Sequence, residues 1–424
     1  MRSPSLLTLA VLLSGGPVLA QQTDTPVQVV PLVETRSTLG SGSSIQGAAL
    51  WVHPTTPARS LLLVADRQAG LLPYELNGAA RSVLVAGSYA GVDVQDNFPR
   101  EDGQRESLIV AANVSVGLEA FAMDPSALTL VRRGSVVGTG FTPTSVAVYA
   151  SPDGRYFAFA GSDTGTVAQF ELISQTDGGT NADPVRSFEV GGPVVGLAVD
   201  DALGALYVAQ QNVGIWRYRA DPTANAERVQ VDVSGNSGLT APLGGVALYM
   251  ASNDRGYLLA VSGGDNTVRL YDRANGASPT QNTYRGRFNV IADAGIDAVD
   301  NPRHVAVSNR ALGSLFPLGM VAVHDGRDTG GSENFKLVDW STLARGFGGS
   351  LVVDTGGPSP TDGGTPLDGG TDAGPGPSTG GTPGGGIGTV PGEGGCGCSS
   401  TSLPGTVLLV LAGAVVLSRR RARD

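Results

Sequence analysis

The residue types that carry most enzyme chemistry are scarce in this chain. Its three histidines, His53, His304 and His324, share no ligand spacing, so no zinc centre is expected. Its two cysteines, Cys396 and Cys398, both fall near the C-terminus, which leaves everything before them without a disulfide. There is no GxSxG, and no glycine-rich stretch has the strand-to-helix setting of a nucleotide loop, so nucleophilic hydrolase chemistry has no candidate. What remains is acid. A formal net charge of −10 and a pI of ≈ 4.8 argue against nucleic acid as a partner, because no basic patch exists to release counterions from phosphates. The same acidity is compatible with cation binding and ordinary for a soluble exported protein. Several acids stand in hairpin turns: Asp153, Asp200, Asp201, Asp254 and Asp265 are where Asp is favoured for local backbone hydrogen bonds, a structural role.

The elements that must position these residues are short strands. Between Val27 and Trp340 helical periodicity is nearly absent, and β-branched or aromatic runs alternate with Gly, Asp and Asn turns. Ser151-Pro152-Asp153-Gly154 separates Val146-Ala147-Val148-Tyr149 from Tyr156-Phe157-Ala158-Phe159, and the same plan returns around Asp200-Asp201 and Asn253-Asp254. Aligning Leu50, Val92, Val146, Leu197, Val246 and Val305 as equivalent inner-strand residues gives a period near 50 residues. Four-strand modules at that period predict an all-β, six-bladed β-propeller, with an up-and-down barrel as the alternative. The run Val27 to Val33 is expected to supply the outer strand of the last blade and so lock the ring. Trp51, Trp216 and Trp340 fall in scaffold motifs and read as blade packing.

Both ends differ from this middle. Arg2, the apolar run Leu6 to Leu13 and Val18-Leu19-Ala20 predict a secretory signal over residues 1–20, and hence export. The propeller is expected over 21–350 and a linker over 351–395, of which Gly356 to Gly395 holds 17 Gly and 7 Pro and cannot bury enough apolar surface to order itself. Residues 396–424 combine Cys396-Gly397-Cys398, an apolar stretch from Leu403 to Leu417 and the cluster Arg419-Arg420-Arg421-Ala422-Arg423. This ending resembles the MYXO-CTERM sorting signals of myxobacteria, which implies cleavage near the cysteines, modification of one of them and display at the cell surface or outer membrane. A plain C-terminal membrane anchor is the alternative reading.

Several linked motifs of the middle segment are similar, in order and spacing, to the β-propeller phytases. They are Ala49-Leu50-Trp51-Val52-His53-Pro54, Tyr74-Glu75-Leu76-Asn77-Gly78, Leu206-Tyr207-Val208-Ala209 with Gly214-Ile215-Trp216-Arg217-Tyr218, Tyr271-Asp272-Arg273, Phe316-Pro317-Leu318-Gly319 and Asn334-Phe335-Lys336-Leu337-Val338 with Trp340. The resemblance spans Val27 to Leu343. It implies calcium-dependent hydrolysis of phosphomonoesters on inositol hexakisphosphate (phytate) by a monomeric propeller, with several Ca²⁺ ions held by carboxylates at one end of the channel. Carried over position by position, it offers Asp66, Asp93 and Asp325 as metal ligands, Arg67 and Asn113 as phosphate contacts, and Cys396 and Cys398 for processing.

Elsewhere the family's acids and bases are replaced. Gln46 and Gly47 stand for paired aspartates, Gly91 for an asparagine, Val114 for an arginine and Thr142 for a glutamate. Gly161-Ser162-Asp163 stands for Asn-Asp-Lys, Val195-Gly196 and Gly244-Gly245 for Glu-Gly, Gln210-Gln211-Asn212 for Glu-Glu-Asp, and Arg303-His304 for Asp-Gly. Valine and glycine offer no side-chain oxygen, so the sequence predicts an underbuilt calcium cluster. Two functions stand as expectations: a calcium-dependent phosphatase of inositol phosphates or a less charged phosphomonoester, and a non-catalytic surface binding or interaction propeller. A propeller lactonase would need its own metal-binding carboxylate and asparagine set, and none is identifiable.

Overall fold

The computed structural model describes residues 24–38, 42–81, 85–235, 238–273, 281–328 and 331–356. The expected signal peptide, most of the linker and the tail with Cys396 and Cys398 lie outside them. Six sheets succeed one another along the chain, each ordered from its inner strand outward. The inner strands are Ile45–Trp51, Tyr89–Pro99, Pro143–Ala150, Val194–Asp200, Leu243–Met250 and Val305–Ser308. Each touches the next, and the sixth touches the first, so the ring closes as a six-bladed propeller. Blades two, three and four have four strands of their own, while blade one has three, Ile45–Trp51, Leu61–Asp66 and Gly70–Glu75.

The expected locking strand divides between two blades. Val27–Val29 pairs in parallel with Tyr284–Val290 as a fifth strand of blade five, whereas Val33–Glu34 pairs antiparallel with Asn334–Asp339 as the outer strand of blade six. Pro31, which carries no backbone donor, lies between the two pairings, where neither ladder needs one. The C-terminal boundary at 350 also moves. After the helix Trp340–Gly346, Leu351 is buried, Val352 donates to the Tyr257 hydroxyl at 2.8 Å and accepts from Trp340 Nε1, and Asp354 accepts from Ser252. Residues 351–356 therefore belong to the propeller.

Apolar side chains assemble into six clusters, one at each contact between neighbouring blades among the described residues. Trp51 and Trp340 are fully buried, and Trp340 stacks on Tyr249 with ring centroids 3.8 Å apart. Near the axis the spacing is set by backbone. Blades one to five open their inner strands with a register irregularity: Ile45/Gly47, Tyr89/Gly91, Pro143/Ser145, Val194/Gly196 and Leu243/Val246. A bulge of this kind bends the strand and re-aims the side chains beyond it. A Cβ on Gly47 would lie 3.1 Å from the Gly91 Cα, and one on Gly196 would lie 2.7 Å from the Gly245 Cα. Aligning the bulges pairs Ala48, not Leu50, with Val92, which corrects the first repeat of the sequence alignment by two residues.

Buried carboxylates tie the inner strands together further down. Asp93 of blade two accepts from its own neighbouring amide, Val94 N, and from Val148 N of blade three at 2.8 Å. Asp201, in the first hairpin of blade four, accepts from Ala150 N of the same strand at 3.2 Å. Burial pushes Asp93 up to about 6 and Asp201 up to about 7, against the hydrogen bonds they accept; the Asp200 and Asp93 charges add to the rise at Asp201. Asp200 itself is fully buried and pairs with Arg273, whose Nη2 lies 2.8 Å away.

Two outcomes are expected. Gly196→Ala should destabilise the propeller by about 1–3 kcal/mol, because its methyl meets backbone and no side chain can yield; Gly138→Ala, with nothing within 4 Å, should stay within about 0.5 kcal/mol in the same urea titration. A carboxyl whose folded pKa is raised contributes stability that is complete at acid pH and is lost as pH climbs through about 4 to 7. In urea titrations Asp201→Asn should therefore come closest to the wild-type stability at about pH 4 and exceed it increasingly up to pH 8, by on the order of 4 kcal/mol. His304, pushed down to about 3 by burial and the Arg303 charge, and His324, lowered by burial, work in the opposite direction below pH 6.5. The informative quantity is thus the difference between variant and wild type across the pH range.

Candidate functional site

Antiparallel pairing brings the start of each inner strand beside the end of the second strand of its blade. One mouth of the channel is therefore rimmed by Ile45, Tyr89, Pro143, Val194 and Leu243 together with their partners Asp66, Asn113, Ser162, Gln210 and Ser262. Asp325, which ends the second strand of blade six, is the sixth member of the latter set. Three of the residues singled out in the sequence, Asp66, Asn113 and Asp325, thus occupy one repeated position.

That position has a local function. Asp66 Oδ1 accepts from Gln68 N at 2.7 Å and from Ala69 N at 2.8 Å, Asn113 Oδ1 accepts from Ser115 N, Ser162 Oγ from Thr166 N, and Asp325 Oδ1 from Arg327 N. Each side chain caps the hairpin just after it, as Asp, Asn and Ser do in tight turns. Their remaining atoms are also engaged. Asp66 Oδ2 accepts from Ser44 Oγ at 2.8 Å, and Asn113 Nδ2 donates to Glu119 at 2.8 Å, where the Tyr89 hydroxyl and Arg132 also converge. Arg67 is exposed on the hairpin and its backbone amide donates to Ser44 O. Asp93 lies apart, partway along its strand, and shares no partner with Asp66 or Asp325.

The wall inside this mouth encloses a cavity of about 50 Å³, room for a water or two. It is lined by Gln46, Gly47, Gly91, Ser145, Val195, Gly196, Gly245 and His304 among others, and by no carboxylate. Gln46 donates to Ser43 O at 2.7 Å. Arg303 pairs with Glu333, and the same carboxylate accepts from Ile45 N at 2.9 Å and Ser44 Oγ at 3.3 Å. The internal stretches outside the described residues contain no Asp or Glu either. A larger cavity, about 360 Å³, lies away from this mouth, where Arg81 pairs with Glu75 and Arg59 donates to Ser126 O.

Ca²⁺ takes six to eight oxygen ligands and is selected by their charge and number. The ring around the axis supplies neutral groups, a histidine and an arginine already paired, so it does not fit a bridged cluster of several such ions. Among the described residues, three carboxylates bring one oxygen each within 4.8 Å of one another at a single place, Glu34, Asp297 and Asp328, near the outer part of blade six. A cation already stands there. Lys336 Nζ lies 2.8 Å from Glu34, 3.2 Å from Asp325 and 3.4 Å from Asp328, and it also donates to Asp297. Burial pulls its pKa down, but hydrogen bonds to Asp297 and Glu34 and the Asp325 charge outweigh it and hold the amine above its usual range.

Sequence reading missed Glu333, the binding of Arg303 to it, and the meeting of His304 with His324, whose rings lie 5.4 Å apart. His324 Nδ1 accepts from Arg303 N and His304 Nε2 faces Ile45 O at 3.2 Å, so both rings are built into the seam between blades six and one. His53 caps a turn at the far end, with Nδ1 accepting from Thr55 N and Thr56 N. The Arg303–Glu333 and His304–His324 pairs form inside blade six, between residues that precede or sit on its neighbouring strands, and follow from strand register that the sequence pattern does not fix.

Comparison with known proteins places this architecture. The Phytase family model matches residues 3–357. The 3-phytase of Bacillus subtilis (strain 168) is 27% identical over 333 residues, covering 76% of this chain and 86% of that protein. An uncharacterized WD repeat-containing protein of Synechocystis is 31% identical over 139 residues, 32% of this chain and 34% of its own length. With the family match running through every blade described above, the chain belongs to the Phytase family.

Proposed function

We propose that this phytase-family propeller is exported, held at the cell surface by its C-terminal tail, and acts there as a non-catalytic binding propeller without multi-calcium hydrolysis of phytate. The observation that carries this reading is the mouth wall, where no carboxylate faces the cavity and where the nearby acids Asp66, Glu119 and Glu333 are each bonded to neighbouring protein groups. Calcium chemistry on phosphate needs anionic oxygens that are free to coordinate. Arg67, exposed on the rim, is the side chain best placed to meet an anionic ligand such as an inositol phosphate. The signal over 1–20, a linker running from 357 to 395, and a MYXO-CTERM-like tail processed at Cys396 or Cys398 would deliver a single, monomeric propeller to the outer surface.

Family membership and the 3-phytase relative favour a second reading, a calcium-dependent phosphomonoesterase acting on phytate or a less charged ester. Phosphate release separates the two. Incubated with phytate at millimolar calcium, the exported chain should release no more phosphate than buffer, while the Bacillus subtilis 3-phytase run alongside supplies the positive signal. Release that rises with calcium and disappears with EDTA would restore the enzyme and discard the binding reading.

A further inference from the structure

We propose that the end of the propeller away from the mouth carries a second binding site, the cavity of about 360 Å³ at the meeting of blades six, one and two, and that its ligand is a small monocarboxylic acid with an apolar body. The proposal is independent of what the mouth binds. Because strands alternate in direction, the hairpins that join first to second strands, and third to fourth, lie at this end. Arg59 comes from the first hairpin of blade one, Leu312 and Leu315 from the first hairpin of blade six, and Leu128 from the outer hairpin of blade two. Glu75 ends the third strand of blade one, and Arg81 lies on the segment that folds back beside that strand, where its amide donates to Pro73 O.

Size and lining select the body of the ligand. Sites for small molecules span about 300–1,000 Å³, a range that includes this cavity and leaves out the one of about 50 Å³ inside the mouth. Its floor is formed by the ends of two apolar clusters. Leu76 and Leu312 belong to the cluster between blades six and one, and Leu128 to the cluster between blades one and two. Leu128 has a φ of 56°, left-handed backbone in which glycine is the ordinary choice, so what leucine adds at this turn is its buried side chain. Leu315, at the edge of the cavity, leaves apolar surface in water that an apolar ligand covers.

Charge selects the head. Arg81 Nη1 lies 2.9 Å from Glu75 Oε1. Arg59 donates to Ser126 O through Nη2 at 3.1 Å and, among the described residues, pairs with no carboxylate. Two guanidinium groups thus share one acid at this place, in a chain whose formal net charge is −10. A guanidinium presents a planar fork of N–H donors that a carboxylate fits with two oxygens. The single surplus positive charge matches one carboxylate, and the leucine floor favours an apolar body over a second anionic group.

Octanoate is the probe, and octanol is its uncharged counterpart. Calorimetric titration of the exported chain should show one octanoate bound with a Kd at or below about 0.5 mM, and octanol weaker by about tenfold or more. Arg59→Met, which keeps the apolar stem, should weaken octanoate by about tenfold or more. Glu75→Gln keeps the shape of the wall and releases Arg81, so octanoate should bind about twofold tighter or better. Arg59 is exposed and Glu75 half-exposed, and without octanoate each variant should melt within about 2 °C of the wild type, which separates lost binding from lost fold. No saturable octanoate binding, octanol bound as tightly as octanoate, an Arg59→Met chain of wild-type affinity, or a Glu75→Gln chain that binds no more tightly would each overturn the proposal.

Discussion

The closeness of six backbones around one axis governs this molecule. Inner strands approach so tightly that a Cβ on Gly196 would stand 2.7 Å from the next strand's Cα, so the residue at that point of each blade is chosen by space before chemistry. Glycine fills it in blades one, two, four and five, and serine in blade three. The bulge just before it turns the strand into this contact, and the apolar clusters at the blade contacts hold the wedge shape that makes the contact possible. A closed ring leaves no inner sheet edge to pair elsewhere.

Charge has been distributed in accordance with that constraint. Near the axis no carboxylate lines the small cavity inside the mouth, and the carboxylates that lie deep in the ring, Asp93 and Asp201, each accept a backbone amide of the strand beside them. Outward, full ion pairs appear: Asp200 with Arg273 between blades four and five, Glu333 with Arg303 inside blade six, where Glu333 also accepts from Ile45 N of blade one, and Lys336 with its four acids at the closure. Removing one partner of such a buried pair costs about 3–5 kcal/mol, because the other is left charged and unsolvated. Polar groups at the seams thus fix which blade meets which, while apolar burial supplies the bulk of the stability.

The fold is legible because its determinants are local and repeated. Turn residues, strand alternation and a period near 50 residues recur in every blade, and each hairpin is specified by the few residues within it. Errors arise where the determinant is a relation between distant segments. The period alone aligns Leu50 in place of Ala48, because a bulge is invisible in a run of apolar residues. Val27 to Val33 reads as one strand because the sequence does not show that its two halves meet different blades. The candidate site is partly legible in another sense. Asp66, Asn113 and Asp325 stand out because they share one place in the repeat, and their common task is capping a hairpin. Glu333, His324 and the cage around Lys336 stay hidden, since each depends on how the strands of blade six and the loop before it fold back on one another, with Glu34 and Ile45 added from the N-terminal side.

Capping and coordination make different demands on the same carboxylate, and this distinction explains how a propeller scaffold and its chemistry can part company. A cap needs one oxygen facing two backbone amides, which Asp66 provides with Oδ1 while Oδ2 turns to Ser44. A metal site needs several such oxygens left open toward a common point, with nothing else to satisfy them. Substitution of the open group by glycine or valine leaves every hairpin and every seam intact, because no strand depends on it. Loss of a cap would instead loosen the turn that aligns two strands. Asp66, Asn113 and Asp325 are therefore accounted for by the turns they cap, and their presence is evidence about those turns rather than about a ligand above them.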